Sequence, residues 1–345
     1  MDANHHIRFS LPERSFASIT KRDITKLAES WGFSQVEVGK INIVIAELLS
    51  NLAKFSVNGG EILIKPIGNP INSIEILCLD RGPGMSEPLR MMEDGVSTFG
   101  SMGEGLGAVK RQSSLFDLYS LPNFGTVILV QISKNIALSK IIPSPARIDI
   151  GYVMVPKPNE TICGDGFTFT TQHNRTDILA LDGLGHGANA NEASALAIAA
   201  FKENLNLDSA NRLRAIHTAI KRSRGAVGFT ASIANGTIEY CGIGNIAGKL
   251  YSQEASPIAG SQYKNIISYN GILGHNIPTT LNNQQLEWVR NKTLVLHSDG
   301  LKSRWELTKY PNLLRHHPTT IAAVLYLDHS RHSDDTLVVV CKAKI

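Results

Sequence analysis

Residues 47–51 read ELLSN and lie near the end of a longer segment, 36–55, which reads VEVGKINIVIAELLSNLAKF. The apolar side chains of this segment recur at helical spacing, which predicts one amphipathic helix. Glu47 and Asn51 are four residues apart and therefore share one face of that helix. Such a pair is either a solvated surface or one part of a polar site, and the neighbouring segments must distinguish the two.

Two strands follow this helix, EILIKPI at 61–67 and SIEILCLD at 73–80. The second strand ends at Asp80, in a turn LDRGPGM that contains Gly82 and Gly84. GAVKRQSSLF (107–116) predicts another helix, and GTVILVQI (125–132) predicts a closing strand that begins at Gly125-Thr126. This part of the chain therefore predicts an α+β sandwich with helices on one face of a mixed sheet.

The stretch 94–107, DGVSTFGSMGEGLG, holds five glycines. Glycine-rich runs serve as linkers and as anion cradles for the same reason of backbone freedom. A better candidate for a linker follows at 134–147, KNIALSKIIPSPAR, which has two prolines and no clear period. The linker interpretation of 94–107 is therefore the weaker one, and an anion cradle is favoured. The resemblance given next implies that 94–107 is a nucleotide lid whose 94–99 portion moves when no ATP is bound.

The ordered series ELLSN, DRGPG, GEGLG and GT resembles the N, G1 and G2 boxes of the GHKL (Bergerat) ATP-binding fold. Residues 91–111, MMEDGVSTFGSMGEGLGAVKR, are similar to RsbT-type switch serine kinases, and this resemblance covers most of 15–132. It implies that Asn51 binds Mg²⁺, that Asp80 accepts a hydrogen bond from the adenine amino group, and that Glu47 is the base for the attacking hydroxyl. The residues expected to contact ATP are Asn51, Asp80, Gly82, Gly84, Gly100, Gly103, Gly105, Gly107, Lys110 and Thr126.

The chemistry of these residue types agrees with the implied roles. Mg²⁺ prefers oxygen ligands and keeps several waters, so one amide oxygen together with the phosphates is a sufficient set. Glycines let backbone N–H groups approach phosphate oxygens, and the N-terminus of a helix near Ala108 adds a partial positive charge. Lys110 and Arg111 either meet the γ-phosphate or remain in solvent, and the sequence leaves both interpretations open.

The second half of the chain restarts with a β-rich pattern. Asn235-Gly236 is a strong signal for a two-residue hairpin turn. The predicted strands, with one helix of small residues among them, would form a pair of sheets covered by helices. They read IDIGYVMVP, FTFTTQ, DILALD, NEASALAIAAFKENL (helix), GFTASIANGTIEYCGIGN (hairpin), TLVLHSD and DTLVVVCK.

Aspartates stand at the ends of these strands or beside glycines: Asp165, Asp182, Asp299, Asp334 and Asp335. Converging carboxylates without neighbouring lysine or arginine repel one another unless they bind hard cations. Two Mn²⁺ or Mg²⁺ ions in such a cluster can activate a water for attack on a phosphoester, and no protein nucleophile is then needed. A set of Asp-capped turns on a β-sandwich is the alternative.

These motifs, with GIGNI at 242–246, resemble the SpoIIE and RsbX branch of the metal-dependent PPM protein phosphatases over residues 148–342. The resemblance implies that Asp182 bridges both metals, with the Gly183 carbonyl as a further ligand. It also implies that Asp299 holds the second metal and that Asp165 orders metal-bound waters. Aligning the aspartates of SDDT selects Asp334 as the last ligand, whereas aligning the threonine moves the site to Asp335; we prefer Asp334.

Histidines are not assigned to either site. His186, in GLGHG, does not match the position of the general acid proposed for eukaryotic PPM relatives, so we interpret it as structural. The pairs His5-His6 and His316-His317 are interpreted as loop residues without partners.

The composition excludes several other classes of protein. The net charge of +4 comes without a Lys/Arg cluster, which argues against nucleic-acid binding. No apolar run reaches the ~20 residues of a membrane span, and a secretory signal pattern is absent, so we expect a cytoplasmic location. The four cysteines form no CxxC pair and predict neither a disulfide framework nor a zinc site.

Together these observations predict an α+β chain with a GHKL sandwich at 1–135, a linker at 136–147 and a PPM-type α-β-β-α sandwich at 148–345. The predicted function is a bifunctional serine/threonine switch that uses ATP with Mg²⁺ in one half and two Mn²⁺ or Mg²⁺ ions in the other. Its expected substrate is a STAS-domain regulator or scaffold of partner-switching signalling, with a downstream phosphatase or anti-sigma factor as a further partner. The alternatives are a phosphatase whose GHKL half only senses ATP or binds partners, and a non-catalytic scaffold.

Overall fold

The computed structural model describes residues 5–11, 13–56, 59–88, 90, 105–134, 148–172, 174–252 and 263–344. It divides into two compact units. The N-terminal unit comprises His6–Ile141 and Thr308–Leu327, and the C-terminal unit comprises Met1–His5, Ile142–Leu307 and Asp328–Ile345. The predicted linker, 136–147, lies entirely outside the described residues, so its bounds stay a prediction. Residues 308–327 group with the N-terminal unit, although the sequence places them inside the predicted second domain.

The first part of the N-terminal unit is a five-stranded sheet with three helices. Its sheet has the order β1-β2-β3-β5-β4, and every neighbouring pair is antiparallel, so the prediction of a mixed sheet is wrong. Short turns join β2 to β3 and β4 to β5, and such connections favour antiparallel pairing. The elements are β1 (Ile7–Leu11), α1 (Ala17–Ser30), α2 (Gln35–Phe55), β2 (Gly60–Ile67), β3 (Ser73–Asp80), α3 (Gly105–Gln112), β4 (Leu115–Leu121) and β5 (Gly125–Ser133).

Helix α2 contains the predicted helix and starts at a capping box. Ser34 accepts a hydrogen bond from the Glu37 N–H at 3.4 Å, and the Glu37 carboxylate accepts one from the Ser34 N–H at 2.7 Å.

The predicted helix 107–116 is correct only in its first part. Helix α3 ends at Gln112, and Leu115 begins β4, because pairing with β5 satisfies the backbone groups that a longer helix would otherwise use.

Both faces of this sheet are covered. Alternate residues of β3, among them Ile74 and Ile76, belong to the core with α1 and α2. Glu75 points to the opposite face, since side chains alternate along a strand. Glu75 is nevertheless only 2% exposed.

The C-terminal unit contains two antiparallel five-stranded sheets, ordered β13-β10-β9-β8-β7 and β12-β11-β14-β15-β6. Leu179 and Leu181 pack beneath α4 and α5, whereas Ile178 and Ala180 join the core that both sheets share. Asn235 and Gly236 both have positive φ, which confirms the predicted hairpin turn. The elements are β6 (Ile148–Val155), β7 (Gly166–Gln172), β8 (Arg175–Gly183), α4 (Ala188–Glu203), α5 (Ser209–Ala219), β9 (Ala226–Ala234), β10 (Thr237–Ile243), β11 (Ala247–Ser252), β12 (Tyr263–Ile266), β13 (Gln284–Glu287), β14 (Lys292–His297) and β15 (Thr336–Ala343). Between β14 and β15 the chain forms α6 (Pro318–His329), which belongs to the N-terminal unit as far as Leu327.

The mixed α and β content of the prediction is thus confirmed. Among the described residues, no helix combines the length and apolarity that crossing a membrane requires. All four cysteines are buried and unpaired with one another, in agreement with the absence of a disulfide framework.

Candidate functional sites

Asp80 ends β3 in an oriented, half-buried position. Its Oδ1 accepts a hydrogen bond from the Gly82 N–H at 2.7 Å, and Thr126 lies opposite it in the pairing of β3 with β5. Burial raises the pKa of Asp80, and the hydrogen bonds from Gly82 and Thr126 partly oppose that rise. The carboxylate is therefore held as a fixed acceptor beside the turn.

Gly82 and Gly84, two of the glycines predicted to contact ATP, are also required for the packing of the turn after β3. A Cβ added to Gly84, whose φ is +70°, would clash with the Leu121 carbonyl oxygen. A Cβ added to Gly82 would lie 2.5 Å from the Phe55 carbonyl oxygen and 2.8 Å from Asp80 Oδ1. Glycine at both positions lets the turn pack against its neighbours and keeps Asp80 accessible.

Glu47 lies beside the first residue of α3. A Cβ added to Gly105 would lie 2.8 Å from Glu47 Oε2, so the start of α3 directly adjoins this carboxylate. Glu47 and Asn51 are both half-buried on α2, and Gly107 is buried in α3. The structure thus brings the ELLSN and GLG motifs together.

The remaining predicted residues of this site are either exposed or outside the described residues. Lys110 and Arg111 are exposed, so the choice between a phosphate contact and solvent stays open. Gly100, Gly103 and the predicted mobile portion of the lid, 94–99, lie outside the described residues.

Strand ends bring the predicted carboxylates of the C-terminal unit together. Asp182 lies at the end of β8, and its carboxylate accepts a hydrogen bond from the Asp299 backbone N–H. Asp165 is 2% exposed and accepts a hydrogen bond from the Ser298 hydroxyl at 2.7 Å. Asn245, in the GIGNI motif, donates to Asp299 at 3.1 Å. Ser298 and Asn245 have no role predicted from sequence, although they lie inside the motifs TLVLHSD and GIGNI.

The electrostatics of this cluster fit divalent cations. Burial, followed by the nearby charges of Asp299 and Asp334, raises the pKa of Asp182 to about 7. Burial and the charge of Asp182 raise the pKa of Asp165 well above its ordinary value. A hard cation would relieve this repulsion with the oxygen ligands that it prefers. In the described ranges no three acidic, histidine or cysteine side chains are converged on one ion position.

Asp334 and Asp335 differ in how their oxygens are used. Asp335 is 3% exposed, and its two oxygens accept hydrogen bonds at 2.8 Å from the Lys157 and Gly164 N–H groups. Asp334 is half-buried and accepts a hydrogen bond from the Asp335 N–H through Oδ1. This arrangement supports the preference for Asp334 as the ligand, with Asp335 fixing the loop that leads to Asp165.

Exchanging each of these two aspartates for asparagine should separate the two roles. We expect Asp334→Asn to weaken Mn²⁺ binding by about 10–100-fold, with little change in the free energy of unfolding. Asp335→Asn should lower the free energy of unfolding by about 1–3 kcal/mol, because its NH₂ group faces a backbone donor. Calorimetric titration with Mn²⁺ and urea unfolding measure the two effects, and the reverse pattern would assign the ligand to Asp335.

Metal affinity should also depend on pH. Below a pKa of about 7 Asp182 carries a proton that a cation must displace, so affinity falls as pH is lowered through this value. We expect the Mn²⁺ dissociation constant to be about tenfold higher at pH 6 than at pH 8 for one displaced proton. Calorimetry in two buffers of different ionisation enthalpy measures that proton release, and a pH-independent affinity would contradict it.

The interpretation of two histidine pairs as loop residues without partners is wrong. His6 is fully buried, with Nε2 at 3.3 Å from Glu75 Oε1, and His316 Nδ1 lies 2.9 Å from Asp117 Oδ1. These contacts depend on long-range packing that adjacent sequence does not reveal. His186 Nδ1 lies 2.9 Å from Glu160 Oε1, consistent with a structural role.

The chain is similar to two proteins of Bacillus subtilis (strain 168). It is 35% identical to serine/threonine-protein kinase RsbT over 103 residues, which are 30% of this chain and 77% of RsbT. It is 32% identical to phosphoserine phosphatase RsbX over 151 residues, which are 42% of this chain and 70% of RsbX. No protein-family model matches the sequence.

A solved structure from work on the bacterial stressosome, as a modular system adapted to control secondary messenger signalling, shares the fold. Its TM-score is 0.51 at 24% identity, and the match covers 56% of this chain and 99% of that chain. The two Bacillus relatives, each matched over more than two thirds of its length, carry the assignment. The chain belongs to both of their families and is a fusion of an N-terminal RsbT-type kinase-like region with an RsbX-type PPM phosphatase region.

Proposed function

We propose that this protein is a bifunctional switch that adds and removes phosphate on a serine or threonine of a STAS-domain regulator. The observation that carries the phosphatase half is the cluster of Asp165, Asp182, Asp299 and Asp334, in which burial and mutual repulsion raise the pKa of Asp182 to about 7. Membership of the RsbX family supports a serine/threonine phosphatase role in stress signalling.

In the phosphatase reaction the chain holds the cations and fixes the carboxylates. Asp182, Asp299, Asp334 and the Gly183 carbonyl would be the ligands. When bound, divalent cations neutralise phosphoester charge and activate water for in-line attack at phosphorus. The Ser298 hydroxyl donates a 2.7 Å hydrogen bond to Asp165. This bond would hold the orientation of the Asp165 carboxylate when cations and the phosphoester bind and leave.

In the kinase-like half, Glu47 would accept the proton of the substrate hydroxyl as its oxygen attacks the γ-phosphorus of ATP. The bond from that phosphorus to the β,γ-bridging oxygen breaks, and ADP leaves with the electron pair. Asp80 would orient the adenine, and Asn51 would hold Mg²⁺ through its amide oxygen. The contact of Glu47 with the start of α3 supports this role, because the GLG motif would place phosphate near the base.

The test uses the purified full-length chain with the STAS-domain protein encoded nearest to it in the genome. We expect the wild-type chain to release phosphate from the phosphorylated STAS protein with Mn²⁺, and EDTA to abolish the release. We also expect transfer from γ-labelled ATP to the unphosphorylated protein when the phosphatase is silenced by Asp182→Asn. Hydrolysis without transfer would leave a phosphatase with a nucleotide-sensing first unit, and the absence of both reactions would refute the proposal.

The sensor alternative has one specific observation in its favour. Residues Thr308–Leu327 follow a strand of the C-terminal unit in sequence but belong to the N-terminal unit. Through this covalent connection, nucleotide binding in the N-terminal unit would affect the phosphatase region whether or not the N-terminal unit transfers phosphate.

A further inference from the structure

The segment Thr308–Leu327, named here the coupling segment, is an integral part of the N-terminal unit. It includes most of α6, and every residue from Pro318 to Leu327 is buried. In the sequence it is inserted between β14 and β15, the strands whose ends lead to Asp299 and Asp334. The chain therefore leaves the C-terminal unit after one predicted metal ligand and returns to it just before another.

Specific polar contacts fix the coupling segment on the sheet. Asp117, on β4, accepts hydrogen bonds from the His317 N–H at 2.8 Å and from the Thr320 hydroxyl at 2.7 Å. The Tyr326 hydroxyl lies 3.1 Å from Glu61 Oε2, on β2. Hydrogen bonds at both ends of α6 set one position for the helix, which apolar contacts alone would leave free to slide.

The face beneath α6 is itself charged and requires a cover. Glu75 lies 3.0 Å from the Lys65 ammonium and 3.3 Å from His6 Nε2. The side chains of all three residues are nearly inaccessible to water. Burial alone would raise the pKa of Glu75, but the charge of Lys65 and the hydrogen bond with His6 outweigh it and lower the pKa well below the ordinary value. The network is therefore matched in charge, and Thr319 of the coupling segment approaches Glu75 Oε2 at 3.5 Å.

Both ends of the coupling segment contact the surroundings of the predicted adenine site. Arg81 directly follows Asp80 and donates a hydrogen bond to the backbone carbonyl of Leu327, the last residue of the segment. At the other end, the ring of Tyr310 lies 5.7 Å from that of Phe124, in the β4–β5 turn that precedes Thr126. The Asp80 turn and that hairpin are thus in contact with the two ends of the segment, where the chain crosses between units.

We propose that the coupling segment transmits nucleotide occupancy of the N-terminal unit to the phosphatase, through the crossings that lead to Asp299 and Asp334. This inference rests on the proposed function, since it requires a nucleotide site and a phosphatase. It adds the element that links them and names the contacts that carry the link. Transfer of phosphate by the first unit is not required.

The experiment measures hydrolysis of p-nitrophenyl phosphate by the full-length chain with Mn²⁺, with and without the non-hydrolysable analogue AMP-PNP. We expect the analogue to change kcat/KM by about fivefold or more and to change hydrogen exchange in 318–327. The double variant Thr320→Val/Tyr326→Phe should keep the basal rate and the AMP-PNP affinity measured by calorimetry, yet lose most of this response. Lys309→Gln, at an exposed position of the same segment, is the matched control and should respond like the wild type.

The outcomes separate the coupling from the proposed function. Absence of hydrolysis would refute the proposed phosphatase, and absence of AMP-PNP binding would refute the nucleotide site together with the coupling. If AMP-PNP binds but leaves the rate of hydrolysis unchanged, the coupling alone is overturned. A nucleotide response that survives in the double variant, with unchanged exchange in 318–327, would likewise show that the segment does not carry it.

Discussion

Replacing Asp182 with asparagine should reduce the phosphatase rate by about 100-fold or more while leaving the protein folded. The change removes the carboxylate expected to bridge both cations, and loss of even indirect metal-supporting groups costs about 10–100-fold. The neutral amide also removes the repulsion that raises the pKa of Asp182, so the metal-free variant should unfold at an equal or higher urea concentration. Phosphate release, Mn²⁺ calorimetry and urea unfolding measure the three consequences.

Asp149→Asn provides the matched control for this substitution. Asp149 lies in the same unit, and its carboxylate forms a surface ion pair with Lys344 at 2.9 Å. Exposed pairs of this kind contribute little, so both activity and stability should stay close to the wild type. Normal hydrolysis by Asp182→Asn would show that the metal assignment is wrong, and it would revive the interpretation of the aspartates as turn caps.

Glu47→Gln should lower phosphotransfer to the STAS-domain protein by about 10²–10⁴-fold, the usual contribution of a positioned general base. Glutamine keeps the shape of the side chain beside Gly105 but cannot accept the hydroxyl proton. ATP affinity should therefore stay nearly constant while the transfer rate falls. The comparison is made in the Asp182→Asn background, so that the phosphatase does not remove the product, and transfer is followed with γ-labelled ATP.

Glu29→Gln, on the exposed surface of α1, is the control for the loss of one carboxylate. It should transfer phosphate at the rate of its parent. Equal transfer rates for Glu47→Gln and the parent would remove Glu47 from the mechanism. If the parent binds ATP and transfers nothing, the first unit is a sensor and the coupling segment becomes its main route of action.

Much of the fold could be predicted from local patterns. The helix around ELLSN was predictable because its apolar period and its polar pair lie in one continuous segment. The Asn235-Gly236 hairpin was predictable because that dipeptide tolerates the positive φ values that the turn requires. In contrast, Leu115–Leu121 was assigned partly to a helix, since its pairing with β5 is decided by backbone partners in another segment.

The candidate sites divide in the same way. Asp80, Asp182 and Asp299 could be proposed from sequence because each lies at or just beyond the end of an apolar strand, beside a turn. Ser298 and Asn245 could not be assigned roles, because their contacts with Asp165 and Asp299 are long-range. The choice between Asp334 and Asp335 needed atomic contacts, since neighbouring residues on a chain point in different directions.

Residue types and local spacing were enough to predict the two families, the order of their motifs and the carboxylates that carry the proposed chemistry, because these features are local in the chain. The position of Thr308–Leu327 in the N-terminal unit, in contrast, emerged from the three-dimensional fold. The fold also turned His6 and His316 from loop residues into buried or half-buried partners of Glu75 and Asp117. An apolar helix can bury its surface against any complementary surface that the chain can reach, and a buried charge can likewise pair with any suitable partner. The spacing of residues in the sequence does not identify that surface or that partner.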